Sequence, residues 1–131
     1  MVLLQLVGDR NARHRDFERM YVERYWSISA RLPDSFMRGD TDFPLDEINA
    51  RAFMDYLMLC EDELDMRQQG YISDKTWKIW SSAIGSAQSN EKLKVLMDQF
   101  PDGRLDLLRN FDERIDPLTR SLFRRWWEGL V

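Results

Sequence analysis

Hydrophobic positions along the chain recur every three or four residues over several long stretches, which is the spacing of amphipathic helices. The most informative stretch is YLMLCEDELDMRQQGYISDKTWKIWSSAI at residues 56–84. It predicts a helix that ends at Gly70, because glycine can adopt the left-handed backbone conformation that closes a helix. Ser73 can cap the helix that follows. We therefore expect a central helical hairpin, with Tyr71 and Ile72 packed between its two helices.

One long helix is predicted before the hairpin, over about residues 9–32, and Pro33 ends it. A loop follows, and Pro44 suits the first turn of the next helix, which should continue to about Gln69. The apolar face of the first helix contains Phe17, Tyr21, Tyr25, Ile28 and Leu32. One row of the second helix contains Ile48, Ala52, Tyr56, Leu59 and Glu63. An adjacent row is also apolar, so this second helix is expected to be central.

Shorter helices are predicted after the hairpin. Asn90 or the preceding serine can cap a helix that the PDG sequence at residues 101–103 then breaks. Another helix is expected over about residues 105–115, and Asp116 followed by proline can open a last one. No alternating strand pattern of useful length occurs. The predicted fold is all-α, a single-domain bundle of five to six helices over residues 1–131.

Composition narrows the class of protein. With 44% apolar and 32% charged residues, the chain can bury a core and keep a polar surface, so we expect a soluble globular domain. Its net charge of −4 argues against broad binding to nucleic acid or anionic lipid. The single cysteine, Cys60, cannot form an intrachain disulfide and is expected to be a core residue. We predict a cytoplasmic location, possible also at the inner face of a membrane.

The N-terminal segment MVLLQLVG, residues 1–8, is apolar but too short to span a bilayer. One interpretation is a helix end or strand packed on the core. The alternative is the remnant of a membrane anchor, because arginines after an apolar run are typical of a cytoplasmic boundary. The candidate membrane-proximal residues are then Arg10, Arg13 and Arg15.

Catalytic and metal-binding motifs are not found. The chain contains no nucleophile elbow and no phosphate-binding glycine loop, and its one histidine, His14, lies among arginines. The acidic run Glu61, Asp62, Glu63 and Asp65 is interpreted as a solvated helix end; a hydrolase or nuclease site is the alternative. We predict a non-enzyme with no catalytic residues, no cofactor and no metal.

Aromatic and basic residues indicate where a partner could bind. Tryptophans beside arginines are typical of protein interaction surfaces. The candidate partner-surface residues are Trp77, Trp80, Arg120, Arg124, Arg125, Trp126 and Trp127. We expect a protein partner or self-association through these side chains; nucleic acid is not expected.

Three segments carry a resemblance to a known family: FERMYVERYWSISARLP, EINARAFMDYLMLCEDELDMRQQGYISDKTWKIW and FDERIDPL. With this pattern of helix ends and aromatic residues, residues 15–118 resemble a family of small bacterial helical proteins without an assigned activity, in which an apolar N-terminal anchor is frequent. The resemblance implies a helical fold, membrane proximity and a bacterial or phage origin, but no catalytic residues. The hypothesis is a non-enzymatic helical interaction or regulatory module. The alternative is a membrane-proximal cytoplasmic domain or peripheral membrane protein.

Overall fold

The computed structural model describes residues 2–119, apart from the side chains of residues 2–4, 6–7 and 9–11. This part of the chain folds into six α-helices and contains no strand, so the predicted all-α class is confirmed. The helices are α1 (Val2–Ser29), α2 (Asp34–Met37), α3 (Glu47–Gln68), α4 (Asp74–Ser89), α5 (Glu91–Met97) and α6 (Asp106–Arg109).

The central helix is α3, which contacts α1, α4, α5 and α6. Its side chains Ala52, Phe53, Leu57 and Leu59 are completely shielded from solvent. Two ion pairs fix the direction of α1 along it, because Arg24 lies 2.6 Å from Asp62 and Arg31 lies 2.9 Å from Asp55. Arg24 of α1 pairs with the later α3 residue, and Arg31, just past the end of α1, pairs with the earlier one, so the two helices are antiparallel.

The hairpin between α3 and α4 forms as the sequence predicts. Gly70 has a φ of +84°, and the Ser73 hydroxyl accepts a hydrogen bond from the Thr76 amide at 3.3 Å. Ile72 is fully buried in the turn, whereas Tyr71 is 39% exposed and stacks on Phe17 of α1 with ring centroids 4.7 Å apart. Local residue choice therefore determines this turn, and α1 covers it.

Arg67 ties the end of this hairpin together. Its guanidinium is 1% exposed, and its Nη1 donates to the Ile72 carbonyl at 2.8 Å. Its Nε donates to Asp116 Oδ1 at 3.0 Å, and its Nη2 lies 2.8 Å from Asp74 Oδ1. The Trp77 ring lies beneath it, 5.7 Å from the guanidinium carbon. Burial alone lowers the pKa of Arg67, but the two carboxylates raise it above its ordinary value.

Two helix starts differ from their predictions. The structure begins α1 at Val2, so the apolar N-terminal segment is continuous with the first long helix. Pro44 lies outside α3, because Asp46 takes the capping position and accepts from the Asn49 amide at 2.8 Å. The prediction that Pro44 occupies the first turn is wrong, since a side-chain cap at Asp46 satisfies the helix start better than proline two residues earlier can.

The helix predicted over about residues 105–115 is reduced to the single turn α6. Its start is capped from α3, because the Glu61 carboxylate accepts from the amides of Leu107 and Leu108 at 3.0 and 2.7 Å. Its end is fixed by Gln88, whose side chain donates to the Phe111 carbonyl at 2.6 Å. Contacts from distant parts of the chain thus replace the later turns that local propensity predicts. Asp116 accepts from the Leu118 amide at 2.9 Å, but the last predicted helix lies mostly outside the described residues.

Replacing Arg67 with methionine tests how far the hairpin depends on this cluster. The methionine removes the donor to the Ile72 carbonyl and the buried cation that pairs with two half-buried carboxylates, so we expect the free energy of unfolding to fall by about 3 kcal/mol. Arg31→Met removes an exposed ion pair and is the matched control, with an expected loss below about 1 kcal/mol. Urea unfolding followed by far-UV circular dichroism measures both. Equal losses in the two variants would contradict the assignment.

Candidate functional site

A cavity of about 230 Å³ opens between α1 and α4, with the middle of α3 as its floor. Its volume suits a group of side-chain size more than a large cofactor. Most of its wall is aromatic or aliphatic. The lining residues are Tyr21, Val22 and Tyr25 from α1, Tyr56, Cys60 and Glu63 from α3, and Ile79, Trp80, Ala83 and Ile84 from α4.

Helical spacing brings these side chains together. On α1, Tyr21 and Tyr25 are one turn apart and point to the same side. Tyr21 meets Trp80 of α4 edge to face, with ring centroids 6.2 Å apart. Tyr25 meets Tyr56 of α3 at 6.4 Å in a tilted arrangement. The two pairs place four aromatic rings around one cavity.

Glu63 is the charged residue in this lining. It is 8% exposed, and no hydrogen-bond or ion-pair partner of its carboxyl lies within residues 2–119. Burial raises its pKa from 4.5 to about 8, since an apolar environment disfavours the charged form. Arg24 lowers it by a smaller amount, because that guanidinium is already paired with Asp62. A buried carboxyl without a protein partner in a cavity is a recognised sign of a functional site.

Two other ionisable groups of the cavity, the Cys60 thiol and the Tyr56 hydroxyl, have raised pKa values. Cys60 is 1% exposed, and burial raises the pKa of its thiol well above the usual range. Burial also raises the pKa of the Tyr56 hydroxyl, with Cys60 and Glu63 adding to the effect. A thiol that remains protonated is a poor nucleophile. These two residues contribute shape and polarity, and Glu63 contributes the titratable charge.

The mouth of the cavity is apolar and exposed. Val22 of α1 is 39% exposed and Ile79 of α4 is 68% exposed, and both line the opening. Trp26 follows Val22 by one turn on α1 and is 63% exposed. We call these three side chains the apolar rim. Val22 and Ile79 line the opening itself, and Trp26 extends this apolar surface along α1. Large apolar side chains that lie together, and are not scattered singly, are typical of binding surfaces.

The structure separates the candidate partner-surface residues. Trp80 lines the cavity, but Trp77 is 7% exposed and packs edge to face on Phe111 with centroids 6.0 Å apart. The interpretation of Trp77 as a partner-contacting residue is therefore wrong, because its ring is part of the core beneath Arg67. The other candidates lie outside the described residues: Arg120, Arg124, Arg125, Trp126 and Trp127.

Of the candidate membrane-proximal residues, Arg13 and Arg15 are exposed on α1. The side chain of Arg10 lies outside the described part of the structure. Between Arg13 and Arg15 on α1, His14 contacts the hairpin turn, since its Nδ1 lies 3.2 Å from the Tyr71 carbonyl oxygen. No helix in the described range is long and apolar enough to cross a membrane.

The acidic run of α3 is not the solvated helix end that was predicted, because its four carboxylates have different environments. Glu61 caps α6, Asp62 pairs with Arg24, and Asp65 accepts from the Gln69 side chain at 2.9 Å. Glu63 points instead into the cavity. Within residues 2–119, no three acidic, histidine or cysteine side chains come together as a metal site would require.

Glu63 and the three tyrosines were not singled out from the sequence as a site. The signal was present, because Glu63 occupies the same helical row as Tyr56 and Leu59 on a helix predicted to be central. A carboxyl in an apolar row of a buried helix is not a surface residue. Its neighbours in the run are acidic, and this local composition favours the interpretation of the whole run as solvent-exposed.

Comparison of the chain with protein-family models, curated proteins and solved structures gave no match. The resemblance to a family of bacterial helical proteins therefore stays a prediction. The assignment of the site depends on its geometry alone.

The raised pKa of Glu63 predicts how stability depends on pH. Between about pH 4.5 and 8, the folded chain holds a proton that the unfolded chain releases, so this group's contribution to stability is lost as the pH rises through that window. We expect Glu63→Gln to gain stability relative to the wild type by up to about 1.4 kcal/mol for each pH unit in this window.

Urea unfolding at pH 5, 6, 7 and 8 measures the difference between the two proteins. Glu23→Gln, at an exposed position of α1, removes the same charge outside the cavity and is the control. A constant difference between wild type and Glu63→Gln across this range would show that the carboxyl is not desolvated.

Proposed function

We propose that the chain is a non-enzymatic protein-binding module, and that the groove between α1 and α4 receives its partner. The observation that carries this proposal is the apolar rim around a preformed cavity. Binding energy at protein interfaces concentrates where an anchoring side chain fills a desolvated pocket surrounded by contacts that exclude water. Here Val22, Trp26 and Ile79 would exclude the water, and the cavity would take the anchor.

The chemistry of the site supports binding over catalysis. Covalent catalysis requires an activated nucleophile with a base in reach, but the Cys60 thiol is buried and its pKa is raised. General acid–base catalysis usually pairs groups of opposed protonation state, and the ionisable side chains that share the cavity with Glu63 are three tyrosines and Cys60. A cytoplasmic location belongs to the same proposal, since the buried free cysteine needs no oxidising compartment.

The apolar rim gives a direct test with a matched control. Ile79→Lys places a charge at the mouth of the cavity, whereas Val95→Lys places one on α5, where the native side chain is 58% exposed and outside the groove. We expect a partner captured by the wild type to be retained by Val95→Lys and to bind at least about tenfold more weakly to Ile79→Lys.

The partner is first captured from a cell extract by cross-linking and affinity purification. The captured protein is then titrated against the three purified chains, which measures the difference in affinity. Circular dichroism confirms that both variants fold. Capture that is equally strong for all three chains, or that Val95→Lys alone abolishes, would move the interface away from the groove and reject the proposal.

A second candidate function is attachment to a membrane surface through the N-terminus. The observation that favours it is the continuity of α1 from Val2, which joins the apolar segment to the helix that carries the exposed Arg13 and Arg15. An apolar helix end followed by basic side chains can insert at a lipid headgroup layer.

Flotation with vesicles containing anionic lipid tests this second function. We expect the wild type to float with the vesicles, and Arg13→Glu/Arg15→Glu to float less, because each basic residue near such a surface contributes about 1 kcal/mol. Arg38→Glu, at an exposed position after α2, is the control. Wild-type protein that stays with the soluble fraction at low salt would exclude this function.

A further inference from the structure

We infer that the cavity between α1 and α4 is a receptor for an organic cation, and specifically for a methylated lysine side chain presented by the protein partner. The inference rests on the proposed function, and it identifies the anchoring group that the partner would supply. Three independent features of the cavity support it: the aromatic walls, the carboxyl at the floor and the apolar mouth.

Aromatic rings supply the first part of the argument. The faces of tyrosine and tryptophan are electron-rich and attract cations that lie within about 6 Å of a ring centroid. Tyr21 and Trp80 form one wall, and their ring centroids lie 6.2 Å from each other. Tyr25 and Tyr56 form another, and their centroids lie 6.4 Å from each other. Because α1, α3 and α4 each contribute at least one ring, a bound group is surrounded on several sides. Aromatic cages of this kind are selective for alkylated ammonium groups.

The carboxyl supplies the second part. Glu63 lines the same cavity and is without a protein partner in the described range, so a cation that enters can become its counter-ion. Arg24 of α1 interacts with this carboxyl but lowers its pKa by less than burial raises it, and its guanidinium is paired with Asp62 of α3. No charged side chain of α4 lines the cavity. A ligand with positive charge would therefore complete the compensation of a buried acid.

The shape and polarity of the entrance select among cations. A lysine side chain has a four-carbon stem, which can cross the apolar rim at Val22 and Ile79 while its nitrogen reaches the floor. An unmodified ammonium group is a compact and strongly hydrated charge, so it loses more hydration energy than a methylated one when it enters a largely apolar wall. A trimethylated ammonium group has no donors and keeps its charge. The lining thus favours the methylated side chain.

Binding should be linked to the protonation of Glu63. The charge of the carboxylate is available only after the proton leaves, and burial holds its pKa at about 8. The affinity for a quaternary ammonium should therefore increase with pH by about tenfold in total between pH 6 and 8.5, the same factor that Glu63→Gln is expected to lose, and level off above. Arg24 of α1 and Asp62 of α3 are the charged side chains near Glu63, and burial raises the pKa values of Tyr21, Tyr56 and Cys60 and keeps these three groups protonated. A quaternary ligand does not titrate, so the profile reports the protein.

The test uses the full chain and three small probes that differ at one position. They are N-acetyl-trimethyl-lysine amide, N-acetyl-lysine amide, and the uncharged analogue in which carbon replaces the trimethylated nitrogen. Calorimetry and the shift of the indole N–H resonance of Trp80 measure binding at pH 8.5. We expect a dissociation constant of about 1 mM or below for the trimethylated probe, at least fivefold weaker binding of lysine, and weaker binding still of the neutral analogue.

Variants connect the binding to the cavity. Glu63→Gln keeps the shape and removes the charge, and we expect it to bind the trimethylated probe about tenfold more weakly at pH 8.5 and to lose the pH dependence. Trp80→Leu should weaken binding about fivefold, and Trp80→Phe should restore most of the loss. Glu23→Gln is the control for charge and should bind as the wild type does.

Several outcomes would overturn the inference. They are equal binding of the charged probe and its neutral analogue, unchanged binding to Glu63→Gln, or choline binding at least tenfold more tightly than the trimethyl-lysine probe. Tight choline binding would identify a free metabolite or a lipid headgroup as the source of the cation.

If all probes fail while Ile79→Lys still loses the partner, the groove remains an interface and only the cation receptor is rejected. If the probes bind but the rim variants retain the partner, the proposed function is rejected instead.

Discussion

The enclosure of Arg67 is the interaction on which the geometry of this bundle depends. A guanidinium that is almost fully shielded costs several kcal/mol to desolvate, so its position is tolerated only where acceptors are already in place. The acceptors come from the hairpin turn at Ile72, the first turn of α4 at Asp74, and the later segment at Asp116. One side chain thereby joins three parts of the chain. The α4 helix, once fixed in this way, forms the second wall of the groove.

Arg67 and Glu63 lie one turn apart in the same row of α3, yet their environments are opposite. Arg67 has a full set of partners inside the protein, and its charge is a structural element. Glu63 is also buried but faces a cavity in place of a carboxylate or an amide. The difference follows from what packs against each of these two neighbouring turns of α3. The segment after α6 reaches Arg67, whereas α1 and α4 separate above Glu63.

The elements that the sequence predicted correctly are those set by neighbours in the chain. Gly70, Ser73 and Asn90 act on their own helix ends, so their roles follow from residue type alone. The length of α6 is not predictable in this way, because Glu61, which caps its start, and Gln88, which fixes its end, come from other helices. Trp77 and Trp80 lie three residues apart on α4 and have similar neighbours in the sequence. Their roles differ because Trp77 packs on Phe111 in the core, whereas Trp80 packs on Tyr21 at the cavity. The site depends on such tertiary neighbours.

Burial of a carboxyl without a partner is a cost that folding alone does not explain. An apolar residue in the position of Glu63 would pack against Tyr21 and Tyr56 and would remove the pH dependence of stability. A carboxyl at the floor of an aromatic cavity has a favourable state only when a cation occupies the space, because ion pairing then offsets the desolvation of both charges. The folded chain is therefore less stable on its own than it could be, and the difference becomes part of the free energy of binding. This local cost, in a bundle that is otherwise well packed, is the physical reason why we propose the groove as a binding site.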